Sequence, residues 1–417
     1  MLLFPQEFRG IKMGVMFVIL LSISKLILEN KGKIQFDKFL FTWFFIYFLI
    51  GLLPILIGFI RKNPASEKYI TVYLLWVVLY FIFSVGISYR PNILMELIRV
   101  LKIALILISI TGICAFLVYN FYPGLNAVVL FFFDPNYRPG YKFTAIDAQC
   151  SVSFIYLFTF YLTSFFVENV KIKVSQLLII LTGIIFAIAT SKRILLFLIA
   201  LFPFILFIFL LLVGNKSKLN IFTRKAIYMF SIIIFMFIIN IPLQFIDLSS
   251  IVQYTKSAFH VNKEKQAVER ISKGDGTYII DDGANIRTKQ IKSLVEGWKN
   301  NPIFGAGAGI NASVVRSELP GTYEMTYHAM LFERGILGLT LFVILIACLN
   351  LIGIKLIRRE SIYADYIIAS IVAMDIFLVA NATNPYLMAY DFMWTLFLPV
   401  ALLNVAIVEP TRKLIHD

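Results

Sequence analysis

The sequence predicts an all-α fold: a polytopic transmembrane helical bundle of about 11 to 12 spans carrying one large, partly helical loop on one side. Three observations carry this. Of 417 residues, 60% are hydrophobic, 16% aromatic and only 15% charged, too little polar material to cover a soluble surface of this size. Apolar runs of about 18 to 25 residues recur between short basic or Gly/Pro-containing turns, and lipid offers no partner to an unpaired backbone group, so helices are the expected spanning element. The runs are solidly apolar instead of alternating, which argues against a β-barrel.

In chain order, spans are expected over 13–29, 38–60, 69–88, 102–120, 147–167, 174–190, 193–214, 225–245, 336–356, 363–381 and 391–408. The first run lacks a small-residue cleavage site and is followed by further spans, so it reads as an uncleaved helix. Three parts result: N-terminal transmembrane helices over 1–246, a large loop over 247–326, and C-terminal transmembrane helices over 327–417. The linkers Lys216 to Lys225 and Lys355 to Glu360, and the tail Thr411 to Asp417, are short and basic, which assigns them to the cytoplasm and the long loop to the opposite side. Counting back from that loop leaves Met1 outside together with Arg61, Lys62 and Lys68, against the charge rule. The expectation is a miscounted early span or a first run that does not cross.

The net charge of +14 is spread over the linkers and forms no single stripe. It fits topology signalling and attraction to anionic head groups, not nucleic-acid binding. Cys114, Cys150 and Cys348 lie in or beside apolar runs without ligand spacing, so neither disulfides nor a metal site is indicated. The segment FFFDPNYRPGYKF, which includes Arg138, places aromatics beside turn residues, as an interfacial loop does. Lys192 and Arg193 sit in a tight hairpin between two apolar runs. Each would cost about 2.5 to 3.5 kcal/mol at the bilayer centre, so they are expected to face water, head groups or an anion.

The long loop holds the most polar chemistry. Asp281 and Asp282 precede a helix expected over Ile286 to Trp298, where carboxylates favour the positive end of the dipole. A metal site there would need further oxygen ligands, and none is apparent. Ile291, Leu294 and Val295 form the helix's apolar stripe, with Arg287, Lys289, Lys292 and Lys299 supplying charge. Asn301-Pro302 ends it. Gly305, Gly307 and Gly309 then permit positive φ and close backbone approach, as a loop folding over a diphosphate would need; the Walker lysine is missing, which argues against a nucleotide loop. His328 and Glu333 follow, five residues apart and off one ideal helix face.

The stretch 287–338, with Arg287, Trp298, Pro302, the three glycines, His328, Glu333, Gly335 and Gly338, resembles the signature of the O-antigen polymerase and ligase family of bacterial inner-membrane glycosyltransferases. Arg138 followed by Gly140, and the hairpin Ser191 to Arg193, also resemble features of that family. The resemblance implies about a dozen spans with both ends inside. It implies polymerisation of undecaprenyl-diphosphate-linked oligosaccharide repeats into O-antigen or capsular polysaccharide at the periplasmic face, without cofactor or metal, and with a chain-length regulator as a partner protein. The ligase that moves finished polymer onto lipid A-core is the alternative. Such an enzyme must deprotonate an acceptor hydroxyl and neutralise a departing diphosphate. The expected roles are His328 as base, Arg287, Arg193 and Arg138 on the diphosphate, and Glu333, Gly335 and Trp298 in support, with Arg270, Arg334 and Lys192 as further cations. Two other classes compete. A lipid-sugar transporter should show internal repeats, and none is seen. An assembly partner without chemistry should tolerate His328→Ala.

Overall fold

The structure, a computed structural model, describes residues 9–30, 35–126, 129–130, 133–136, 144–147, 150–190, 192–243, 283–314 and 321–416. Although the run expected from 147 begins only at Cys150, since Asp147 lies in a strand, and the one expected from 391 begins its α-helix at Trp394, each run predicted as a span falls for most of its length on a helix. In order these are α1 (Arg9–Glu29), α2 (Lys38–Ile60), α3 (Ser66–Ile70), which continues through a π-turn (Thr71–Leu75) into α4 (Trp76–Tyr89), α5 (Asn92–Phe121), α6 (Cys150–Val167), α7 (Val174–Ala189), α8 (Arg193–Val213) and α9 (Lys216–Leu243). The helix predicted in the long loop is α10 (Gly283–Lys299). Then come α11 (Thr326–Arg358), α12 (Ala364–Asn381) and α13 (Trp394–His416). The addition to an otherwise helical fold is a short antiparallel hairpin between α5 and α6, β1 (Asp134–Asn136) with β2 (Ala145–Asp147).

Seven of the helical stretches are long and apolar enough to cross a membrane among the described residues: α2, the continuous α3–α4, α5, α6, α8, α11 and α12. The chain is a multi-pass, all-α protein of the lipid bilayer. Its centre is α12, packed along α6 and against α11 and α13, with Ile367, Ile371 and Ile376 fully enclosed. The outer helices turn Phe41, Phe45, Ile103, Phe204 and Val343 outward, the face a bilayer covers.

Each end of the bundle has its own polar chemistry. At one end, cations cap the carbonyls where helices stop: Lys225 Nζ donates to Phe165 O (2.5 Å) and Glu168 O (2.7 Å) at the end of α6, and Lys218 Nζ reaches Val167 O (3.1 Å) and pairs with Asp365. Arg358 donates to Leu212 O (2.6 Å) and Val213 O (3.0 Å) at the end of α8. Orphan carbonyls and the negative end of the helix dipole are both satisfied this way. The basic linkers are thus also structural.

The opposite end carries the long loop and corrects one sequence expectation. The turn joining α2 to α3 lies against the loop: Arg61 Nη2 donates to Asn301 Oδ1 (2.7 Å), Ala65 N to Gly309 O (3.2 Å), and Lys68 Nζ to Thr322 Oγ1 (3.5 Å). Arg61, Lys62 and Lys68 therefore sit at the loop end, on the side the span count gives them. Their charge departs from the topology rule because two of them bind the loop.

Candidate functional site

The segment following α10 is locked into the membrane body by its backbone. Asn301-Pro302 stops α10, and Trp298 Nε1 donates to Pro302 O (2.9 Å), so this tryptophan pins the turn. Gly305, Gly307 and Gly309 take φ of 76°, 91° and 76°, the left-handed region that a side chain would strain. They let the irregular stretch 302–309 bond to a break in α11. Ala306 N donates to Phe332 O (2.8 Å) and Gly307 N to Glu333 O (3.0 Å), while Ile336 N and Leu337 N donate back to Pro302 O (2.9 Å) and Ile303 O (3.2 Å). Ala308 N caps Pro54 O (2.7 Å), and Asn63 Nδ2 and Ser66 Oγ hold the carbonyls of Ala306 and Ala308.

Two expectations change here. The resumption of helix was expected near residue 336; α11 in fact begins at Thr326 and breaks at Gly335, whose φ of 65° and ψ of −174° are non-helical. The glycine stretch was expected to cover a diphosphate. Its N–H groups are instead consumed by the protein, from Gly305 (to Asn301 O, 2.9 Å) through Gly309 (to Glu333 Oε1, 3.3 Å). The glycines position the loop and do not cradle an anion.

Above this clasp, α10 lies on the first turns of α11. Leu294, Ala306, Tyr323, Ala329 and Phe332 form a small second core, and a Cβ on Gly297 would come 2.4 Å from the Phe332 ring. The Tyr323 hydroxyl donates to Ile310 O (2.5 Å) and accepts from Ala312 N (2.7 Å), and burial pushes this phenol's pKa up. Gln290 Oε1 accepts from Glu324 N (2.9 Å), and Arg287 Nε donates to Glu324 Oε2 (2.8 Å). His328 stands four residues beyond Glu324, in the first turn of α11, next to the enclosed Ala329. It is half-buried and makes no hydrogen bond among the described residues.

Of the residues predicted from sequence, Arg287, Trp298 and His328 thus share the α10–α11 platform. Glu333 and Gly335 lie at the break beneath it. Arg193 opens α8, and its side chain is outside the described residues, as are Arg138, His260, Arg270, Asp281 and Asp282. Lys192 donates to Ser151 Oγ (2.6 Å), tying the hairpin to the start of α6. Among the described residues, no group of three or more His, Cys, Asp or Glu side chains could hold a metal ion. Glu324 and Asn63 escaped sequence reasoning because their partners are distant in the chain, though the turn signal at Asn63-Pro64 was available.

The platform carries a half-buried imidazole without a hydrogen bond among the described residues, and an arginine that pairs through Nε with Glu324. Comparison with protein families and with curated proteins finds no match for this chain.

Proposed function

We propose that the protein is a glycosyltransferase that joins undecaprenyl-diphosphate-linked oligosaccharide repeats at the periplasmic face of a bacterial inner membrane. The observation that carries this reading is the α10–α11 platform, folded onto one end of a membrane bundle, which carries both a half-buried His328, without a hydrogen bond among the described residues, and the Arg287–Glu324 pair. The resemblance of 287–338 to the polymerase and ligase family supplies the reaction class. The cation-rich opposite end, with Lys171, Lys173, Lys216, Lys218, Arg358 and Arg359, matches a cytoplasmic surface.

In this scheme the imidazole takes the proton of an acceptor hydroxyl. The resulting oxygen forms a bond to the donor's anomeric carbon as the bond to the diphosphate breaks. The leaving group departs with the electron pair, and the Arg287 guanidinium neutralises it. No water is split and no electron is transferred. The test is elongation of a defined lipid-linked repeat by purified protein in liposomes, without an energy source and with lipid A-core as a rival acceptor. Chain growth on the lipid-linked acceptor is expected. Transfer only to lipid A-core makes the protein a ligase, and no transfer to either removes the reading.

A further inference from the structure

Two spans are distorted where they meet, and an arginine lies between them. The α3–α4 span passes through its π-turn at Thr71–Leu75, and α11 breaks at Gly335. Tyr73 comes from the π-turn and Arg334 from the residue before the break, and the guanidinium carbon lies 4.1 Å from the Tyr73 ring centroid. Gly338 makes room for this arrangement, since a Cβ there would fall 2.5 Å from the Arg334 Cβ. π-turns and broken membrane helices recur where ligands bind.

Arg334 is only 6% exposed, and its Nε has no hydrogen-bond partner. Among the described residues no carboxylate forms an ion pair with it. Its neighbour Glu333, 1% exposed, accepts from Gly309 N (3.3 Å) and lies within electrostatic reach of the guanidinium without forming a direct ion pair with it. Guanidinium stays charged, and a charge buried in a membrane body with part of its hydrogen-bonding fork unpaired is costly, so such groups mark ion or substrate sites. By contrast, Glu324 already engages Arg287. Tyr47, a buried phenol of α2, lies within electrostatic reach of Arg334 and adds a second hydroxyl beside that of Tyr73.

We propose that Arg334, with Tyr47 and Tyr73, forms an anion site that takes the oxyanion of a phosphate group. One guanidinium fork and two phenols supply more donors than a carboxylate needs, whereas phosphate has enough acceptor oxygens for them all. The ring of Tyr73 supports the cation from one side and leaves its edge for the ligand. The site is separate from the Arg287–His328 platform and does not depend on the transferase reading.

The test is thermal unfolding of the full-length protein in a maltoside detergent, which carries no phosphate. Inorganic phosphate is titrated against chloride at equal ionic strength, and nanodiscs with and without phosphatidylglycerol form a parallel arm. Saturable stabilisation by phosphate and not by chloride is the expected result; stabilisation by phosphatidylglycerol alone instead identifies a lipid headgroup as the source. In either arm Arg334→Gln should abolish the effect, Arg334→Lys should weaken apparent affinity about ten- to hundred-fold, and Lys62→Gln, at an exposed cation of the same end, should leave the phosphate-dependent shift unchanged. If Arg334→Gln protein is not recovered, Arg334→Lys decides alone. No stabilisation in either arm, equal stabilisation by chloride, or unchanged affinity in the Arg334 variants overturns the assignment.

Discussion

His328 stood out in the sequence as one of only three histidines, and Arg287 through the resemblance of 287–338 to a known family signature. Their partners did not, since a pairing such as Arg287 with Glu324 depends on how α10 lies on α11. If His328 is the base, His328→Ala should lower elongation by about 10² to 10⁴-fold while donor binding, followed with labelled lipid, persists. Full-length polymer from His328→Ala protein at normal abundance would reduce the histidine to a helix-start residue. Arg287→Lys should lose at least about tenfold in elongation, because a point charge cannot both hold Glu324 and meet a diphosphate; exposed Lys292→Arg should be nearly silent. Glu168, at the end of α6, tests stability against pH. Burial, aided by nearby Asp365, pushes its carboxyl above the ordinary 4.5, with Lys225 opposing. The folded state therefore holds that proton more tightly than the unfolded state does. The stability this provides is complete below pH 4.5 and disappears as pH rises through the folded value. Glu168→Gln should thus melt higher than wild type at pH 7.5 and equal it at pH 4; equal melting at both would show that Glu168 is solvated.

At the scale of elements, the helices were readable because lipid imposes length and apolarity on each span independently of its neighbours. The π-turn and the break at Gly335 were not, since both depend on contacts between spans. The three loop glycines announced positive φ, but what they approach is the backbone of α2 and α11, about which local sequence is silent. Gly335 is the sharpest test of the clasp, because a Cβ there would stand 2.1 Å from Ile303 O. The backbone conformation alone costs a non-glycine residue about 1 to 3 kcal/mol, and the clash adds to it. Gly335→Ala should lower the melting temperature and open the 302–309 segment to protease. Gly14→Ala, at a helical site with nothing within 4 Å, should be neutral or slightly stabilising. Comparable losses from both would mean that the reciprocal bonds at 302–307 and 332–337 do not hold the loop.

For the whole molecule, the count of helices between the α2–α3 turn and the long loop is consistent with direct contacts at both ends, so sidedness can be tested without activity. Single cysteines at Lys62 and Lys299 should react with an impermeant maleimide from one side of sealed vesicles, and one at Lys216 from the other; labelling of all three from one side would break the topology. The native Cys150 is buried, and the remaining two can be replaced by serine for this purpose. The clasp also sets a schedule. Asn63 and Ser66 emerge early in synthesis, yet the carbonyl of Ala308 that both of them bind is made 245 residues after Asn63. At about 5 to 20 residues per second, the α2–α3 hairpin waits roughly 12 to 50 s in the membrane with its polar tip uncommitted, and any factor that attends this protein during insertion has that interval, and that tip, in which to act.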